Sequence, residues 1–241
     1  MMRWAFVMAV VLGFAGLAFG GWVQVDNEGS TTLISEGMLK EVGREEEQYS
    51  ILDARKGNII FVDSGRKLYA MDSIDGFCSA VIAEVNKMRG TGEATKQKSG
   101  KAAPKVSVVN AGDSGKVAGY GTVRYEVKAD GRLYEEVWLT TDATVMNDLG
   151  SVYKSVMKKF EKCLSSLAMV AESLPLSVEE SSEYKKLEEA GWQLKSKSYS
   201  GSRPLIFEVV KLEKRDIPAA EFAVPKGYKK VPLSEILFRE D

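Results

Sequence analysis

Residues 119–141 read GYGTVRYEVKADGRLYEEVWLTT, two runs of alternating apolar and polar residues around Asp130-Gly131. Asp-Gly between such runs signals a two-residue hairpin, because both turn positions need positive φ and these residues tolerate it. With Asp130 and Gly131 as the turn, Val127 faces Tyr134 and Val123 faces Trp138. Tyr125 falls on the same side, which makes that face apolar and aromatic. The other face then sets Glu126 against Glu135. That pair repels unless the side is open to solvent or the register departs from the ideal turn.

Upstream, turn residues at Val42-Gly43-Arg44, Arg55-Lys56-Gly57-Asn58 and Asp63-Ser64-Gly65-Arg66 divide Thr31 to Met71 into several antiparallel strands. Gly21 to Asn27 reads as a short lead-in or a first strand, and Val106 to Val109 as a short strand. Between them Phe77, Val81, Val85 and Met88 recur at helical spacing, giving a helix from about Asp72 or Ser73 to Arg89-Gly90. Thr91 to Pro104 is lysine-rich and almost free of apolar side chains, so it reads as an exposed loop or linker. A lysine-rich loop facing an anionic surface, and a two-domain division at this point, are the alternatives.

Downstream, Val145, Leu149, Val152, Val156, Phe160, Cys163 and Leu167 form the best amphipathic stripe of the chain. Its first reading is cover for the protein's own sheet; a dimer interface and a membrane-surface helix are the alternatives. Ser177 and Glu180 fit a capping box for a short helix anchored by Tyr184 and Leu187 and ended by Gly191. Trp192 to Tyr199 and Leu205 to Leu212 read as closing strands, and Phe222 to Pro232 as a docked tail. The expected fold class is α+β, a curved antiparallel sheet or half-barrel covered by helices, forming one domain over 21–241 with its exposed loop near 91–104.

Residues 1–20 carry a different message. Arg3 is the only charge before Asp26, Trp4 to Phe19 is apolar or glycine throughout, and Ala18 and Gly20 supply small residues before a break ahead of Gly21. That is the pattern of an export signal. It places the protein in the periplasm of a Gram-negative-type bacterium, with transient contact to export machinery; secretion, or anchoring by an uncleaved signal, is the alternative. The 221 residues after Gly20 hold 32 Lys and Arg against 34 Asp and Glu, so no broad positive field invites nucleic acid.

Histidine is absent, which removes Ser-His-Asp, Cys-His and His-based zinc chemistry. No metal or cofactor is expected. Cys78 and Cys163 are candidates for one disulfide in an oxidising compartment, the alternative being two buried thiols. Gly112-Asp113-Ser114-Gly115-Lys116 resembles a phosphate loop only in part: Asn110 stands where the first glycine belongs and Val117 where Ser or Thr would reach magnesium. It reads as an exposed glycine-rich turn. Asp72 with Asp75, or Glu126 with Glu135, are the carboxylate pairs a hydrolase would need, and ordinary surface charge is the simpler reading. Asp142 reads as a helix cap.

Three stretches carry a likeness to known proteins: Gly119-Tyr120 leading into Tyr125-Glu126-Val127, the strand Tyr134 to Thr140, and the tail Phe222-Ala223-Val224-Pro225-Lys226-Gly227-Tyr228. In these the chain resembles the exported bacterial family catalogued as domain of unknown function 4412. With the intervening helices they span about half of the chain after the signal. The resemblance implies a fold like that of the outer-envelope lipoprotein carriers, a strongly curved sheet partly closed by helices that holds acyl chains between the layers. It carries over no catalytic residue, and Gly21 stands where a lipid-bearing cysteine would.

The resulting expectation is a non-enzymatic extracytoplasmic protein that binds a lipid-like or other apolar ligand, or an envelope protein partner. Val123, Tyr125, Val127, Tyr134, Trp138, Val156 and Phe160 are the candidate walls of an apolar cavity, and also the candidate filling of an ordinary core. A structural or assembly module, a homodimer through helix 145–167, is the second reading. A carboxylate-dependent hydrolase is the third.

Overall fold

The computed structural model describes residues 18–45, 47–91, 103–170 and 178–238. Residues 1–17 of the expected signal, most of the lysine-rich loop, and Ser177 lie outside the described residues. The last three residues of that signal, Ala18–Gly20, begin strand β1 (Ala18–Asp26) and pair with Pro218–Asp216.

Five short strands follow: β2 (Thr31–Ser35), β3 (Met38–Val42), β4 (Gln48–Asp53), β5 (Asn58–Asp63) and β6 (Leu68–Ser73). Each pairs antiparallel with the one before it. Asp53 and Asp63 close the last two hairpins in the same way. The carboxylate of Asp53 accepts from the backbone N–H groups of Arg55 and Lys56, and that of Asp63 from the N–H of Arg66. Such aspartates are turn formers because the short side chain replaces a missing backbone acceptor. Helix α1 (Ile74–Thr91) then leaves the sheet.

The second half is β7 (Val106–Val117), β8 (Tyr120–Ala129), β9 (Arg132–Thr140), β10 (Trp192–Ser198) and β11 (Leu205–Pro218). Together the strands make one sheet of order β12-β6-β5-β4-β3-β2-β1-β11-β10-β9-β8-β7, in which only β12 (Lys229–Lys230) against β6 is parallel. The fold is α+β, a mostly antiparallel sheet that does not close into a barrel and is covered by helices. Four strand spacings separate β7 from β11, roughly 19 Å in a flat sheet. Yet the two come within 8 Å at Cα, and Val117 shares a core with Val209 and Leu212. The sheet therefore curls strongly.

Gly112–Lys116 lies inside β7, where two register irregularities absorb it. The expected turn is instead Ala118-Gly119, with φ of 50° and 88°, joining β7 to β8. Only Val106–Val109 read as a strand, because Asn110–Lys116 is polar, small and exposed at every position and so shows no alternation.

The long helix starts with α2 (Ala143–Val145), passes through a π-helical turn at Met146–Gly150 and continues as α3 (Ser151–Val170). Asp142 caps it, accepting from the N–H groups of Thr144 and Val145. Its stripe faces inward from Val145 to Cys163. Val145 and Leu149 are fully buried against Trp22, Leu194 and Val209 with Val152 beside them, while Val156, Phe160 and Cys163 pack with Leu52, Ile59 and Ile74. Tyr134, Val127 and their neighbours form a third cluster under α4 (Ser182–Ala190). A fourth, around Val23, Ile51 and Ile217, lies on the other side of β1 and is closed by Phe222 from the 3-10 turn Ala219–Phe222. The tail docks through β12, Val231 and Leu233, and ends in α5 (Ser234–Leu237).

Helix α4 begins later than the capping box at Ser177 and Glu180 suggests. Ser181 is the cap, its hydroxyl accepting from the N–H of Tyr184, and Val178–Glu180 form a 3-10 turn. Gly191 ends the helix in extended backbone, φ 179°, and not in the left-handed conformation. A Cβ there would stand 2.8 Å from the Thr140 carbonyl oxygen and 2.9 Å from Leu139 Cβ, so the close approach of the chain to β9 needs glycine.

Cys78 of α1 and Cys163 of α3 are joined as a disulfide, with Cα atoms 5.4 Å apart and a sequence separation of 85. Closing so long a loop removes much of the freedom of the unfolded chain. Replacing both cysteines by Ala is expected to cost about 2–5 kcal/mol, read as a lower midpoint in urea. An identical midpoint for the double variant and the oxidised parent would rule out the covalent link.

Candidate functional site

The hairpin of residues 119–141 forms with Asp130 and Gly131 in the turn, at φ of 51° and 79°, and Ala129 opposite Arg132. The ladder then slips. Lys128 faces Leu133 but Val127 faces Glu135, so Tyr134 has no partner. This bulge adds one residue to β9 and changes the sides of everything after it. Glu126 stands opposite Glu136, with Arg124 bridging them at 2.8 Å to Glu136 and 3.7 Å to Glu126, and Lys128 Nζ 3.1 Å from Glu126. The expected Glu126–Glu135 pair does not exist, because the two occupy opposite faces of the sheet. Asp72 is exposed and accepts from the N–H of Ser73 at the start of α1, and no cleft surrounds it.

The same bulge corrects the candidate cavity. Val123, Tyr125 and Val127 keep the helix-covered face, with Tyr134 packed beside them. Trp138 turns to the opposite face, across from Arg124, with Lys195 Nζ 5.4 Å from its ring centre. Val156 and Phe160 belong to the separate core beside the disulfide, where Phe160 meets Phe77 edge-on. The seven residues thus line no common space.

A cleft does open next to them. It is half-open, about 260 Å³ in volume, and is floored by Val137 and Leu139 of β9, Trp192 and Gln193 of β10, and Phe207 of β11. Gln24 of β1 and Gly191 close one side; Tyr184, Leu187 and Glu188 of α4 and Tyr153 of α3 form the rim. Tyr153 and Trp192 stand at 89° with ring centres 6.0 Å apart. Trp192 Nε1 donates to Gln24 Oε1 at 3.2 Å, which fixes the indole.

Behind this wall lies a carboxylate network. Tyr184 Oη donates to Glu135 Oε2 at 2.7 Å, and Tyr134 Oη to Glu179 Oε1 at 2.6 Å. Burial, then the bond to Glu179, pushes the Tyr134 phenol up to about 12. Burial and the Glu135 carboxylate raise Tyr184 as well, with Glu179 and Glu188 adding to the effect. Burial raises the Glu135 carboxyl above its ordinary value, although the hydroxyls of Tyr184 and Ser196 act to lower it. Glu188 is exposed at the rim yet crowded by the cleft walls. That desolvation raises its carboxyl, as do Glu179 and Glu189, while Lys185 works against them.

The arrangement offers an apolar floor, two aromatic walls and a few fixed polar groups, the usual make-up of a small ligand site. Among the described residues no three His, Cys, Asp or Glu side chains gather as a metal site. Tyr184 and Leu187 were visible in the sequence as helix anchors. Tyr153 sits one residue off the apolar stripe, and an aromatic at that position is the signal the sequence holds for it. Trp192, Gln24 and Phe207 come from three strands that only the sheet order brings together. Compared with known proteins, the chain matches no family and no curated sequence.

Because the folded Glu135 holds its proton more tightly than an ordinary carboxyl, its stabilising effect is complete below 4.5 and is lost as pH rises through the raised value. Asp63 titrates the other way. Burial acts to raise its carboxyl, but hydrogen bonds from Arg66 hold it below the usual range. Asp148 is likewise lowered, by hydrogen bonds from Lys214 and Trp22. Both remain in a Glu135→Gln variant and cancel in the comparison. Urea unfolding from pH 7 to pH 4 is therefore expected to show the parent gaining stability relative to Glu135→Gln. Parallel stability curves would contradict the desolvation of Glu135.

Proposed function

We propose that this is an extracytoplasmic, non-enzymatic protein that holds an apolar group in the cleft between α4, the start of α3 and strands β9 to β11. The observation that carries the reading is the cleft itself, apolar in its floor and open on one side. Its volume falls just under the roughly 300–1,000 Å³ usual for small-molecule sites. That size suits one short chain or ring, and it is small for the several chains of a lipoprotein anchor. The ligand is thus a single-chain or aromatic molecule, or an apolar side chain offered by an envelope partner.

Export draws support from the Trp4–Phe19 apolar run and from the Cys78–Cys163 bond, which is at home in an oxidising compartment. A homodimer through helix 145–167 draws no support from the stripe, whose described members face the protein's own core.

A neutral fluorescent probe, N-phenyl-1-naphthylamine, tests the reading. Saturable uptake with one site per chain is expected, and Tyr153→Ala should weaken it roughly five- to tenfold, the scale of one aromatic contact. No saturable signal, or an affinity indifferent to Tyr153→Ala, would sink the assignment to this cleft.

A further inference from the structure

We propose that the cleft selects small amphiphiles that carry an ammonium group on a short apolar body. This deepens the apolar-binding reading and rests on it. Among the residues that line the cleft, Glu188 is the one charged side chain, and no Lys or Arg lines it. Among the described residues, no hydrogen bond or ion pair within 4.0 Å engages the Glu188 carboxylate; its electrostatic neighbours are Lys185, which offsets its charge, and Glu179 and Glu189, which add to it. The negative charge therefore has room for a ligand counter-ion.

Two further features favour a cation over an anion. Glu135 and Glu179 sit behind the tyrosine wall, each accepting from a phenol, and their charge adds to that of Glu188 at Tyr184. Glu188 also acts on Tyr153 across the mouth. An anionic head group entering here would lose water and meet three carboxylates. A cation meets the reverse. The Tyr153–Trp192 corner supplies the second feature: two rings at right angles, one held by its bond to Gln24, line the same cleft as the acid. A cation within about 6 Å of a ring centre is attracted by its quadrupole, most strongly for Trp, and aromatic corners with an acid are a recurrent solution for quaternary ammonium groups. The apolar floor of Val137, Leu139 and Phe207 then takes the body of the ligand.

Isothermal titration of the full chain with three probes of equal chain length tests this: octyltrimethylammonium, 1-octanol and octanoate, each below its aggregation concentration. Octyltrimethylammonium is expected to bind tightest and octanoate weakest. Glu188→Gln should weaken octyltrimethylammonium about three- to tenfold relative to 1-octanol, and an unaltered circular-dichroism spectrum shows that the variant is folded. Glu189→Gln, which alters a carboxylate outside the cleft lining, should change neither affinity. If octanoate binds as tightly as the cation, the charge selection is overturned while apolar binding stands. The same holds if Glu188→Gln has no effect, or if Glu189→Gln weakens the cation as much as Glu188→Gln does. If none of the three binds the parent protein, the apolar-binding reading itself falls.

Discussion

The unpaired Tyr134 in β9 governs the architecture around it. A regular ladder after the Asp130-Gly131 turn would send Glu135 outward and Trp138 inward. Inserting one residue reverses both, because neighbouring side chains on a strand point to opposite faces. Val137 and Leu139 then face the helices and give α4 an apolar floor on which Tyr184 and Leu187 rest. Tyr134 and Glu135 both reach the helix side, one to Glu179 and the other to Tyr184. On the outer face the reversal sets Glu126 opposite Glu136, and Arg124 between them offsets their like-charge repulsion. One extra residue therefore settles the packing of a helix, the burial of an acid and the charge balance of the opposite surface.

The long helix does for the sheet as a whole what the bulge does for its second half. A sheet of this width cannot bury its inner face by folding on itself without closing, and it does not close. Helix α3 and the turn before it bridge the gap, with Leu149 in the core beneath β1 and β11 and Cys163 in the core beneath β4 and β5. Trp22 Nε1 and Lys214 Nζ both bond Asp148, at 3.0 and 2.8 Å, which ties the π-helical turn to β1 and β11. The disulfide then locks α3 to α1. Between the two anchored regions the helix sets Tyr153 edge-on to Trp192, and the cleft opens beside that pair.

The sequence made the elements legible wherever periodicity and turn chemistry agreed. The Asp130-Gly131 turn, the Asp63 turn, the Val145–Cys163 stripe and the cap at Asp142 all follow from local rules, and all are present. The strand β7 was legible only over Val106–Val109, because Asn110 to Lys116 carries glycines and polar residues in place of the alternation that marks a strand. The bulge was hinted at by the awkward Glu126–Glu135 pairing, but a hint of irregularity does not say where the extra residue sits. The site was less legible still. Its floor is built from β9, β10 and β11, and the pairing of Trp192 with Gln24 across 168 residues is a consequence of strand order that no local pattern encodes.

The placement of Glu135 follows from a constraint that starts with Tyr184. Once the apolar stripe of α4 carries that tyrosine under the sheet, its hydroxyl needs an acceptor, since a buried donor left without one costs about 1–3 kcal/mol. A neutral acceptor would serve. A carboxylate serves at the further cost of its own desolvation, softened here by hydroxyls from Tyr184 and Ser196. What the carboxylate adds is charge, and with Glu179 and Glu188 it puts three acids around one phenol ring that forms part of the cleft wall. Burial, and then the charge of Glu179, raises the proton affinity of both Glu135 and Glu188, so the cluster that sets negative charge beside the cleft wall also costs stability as pH rises.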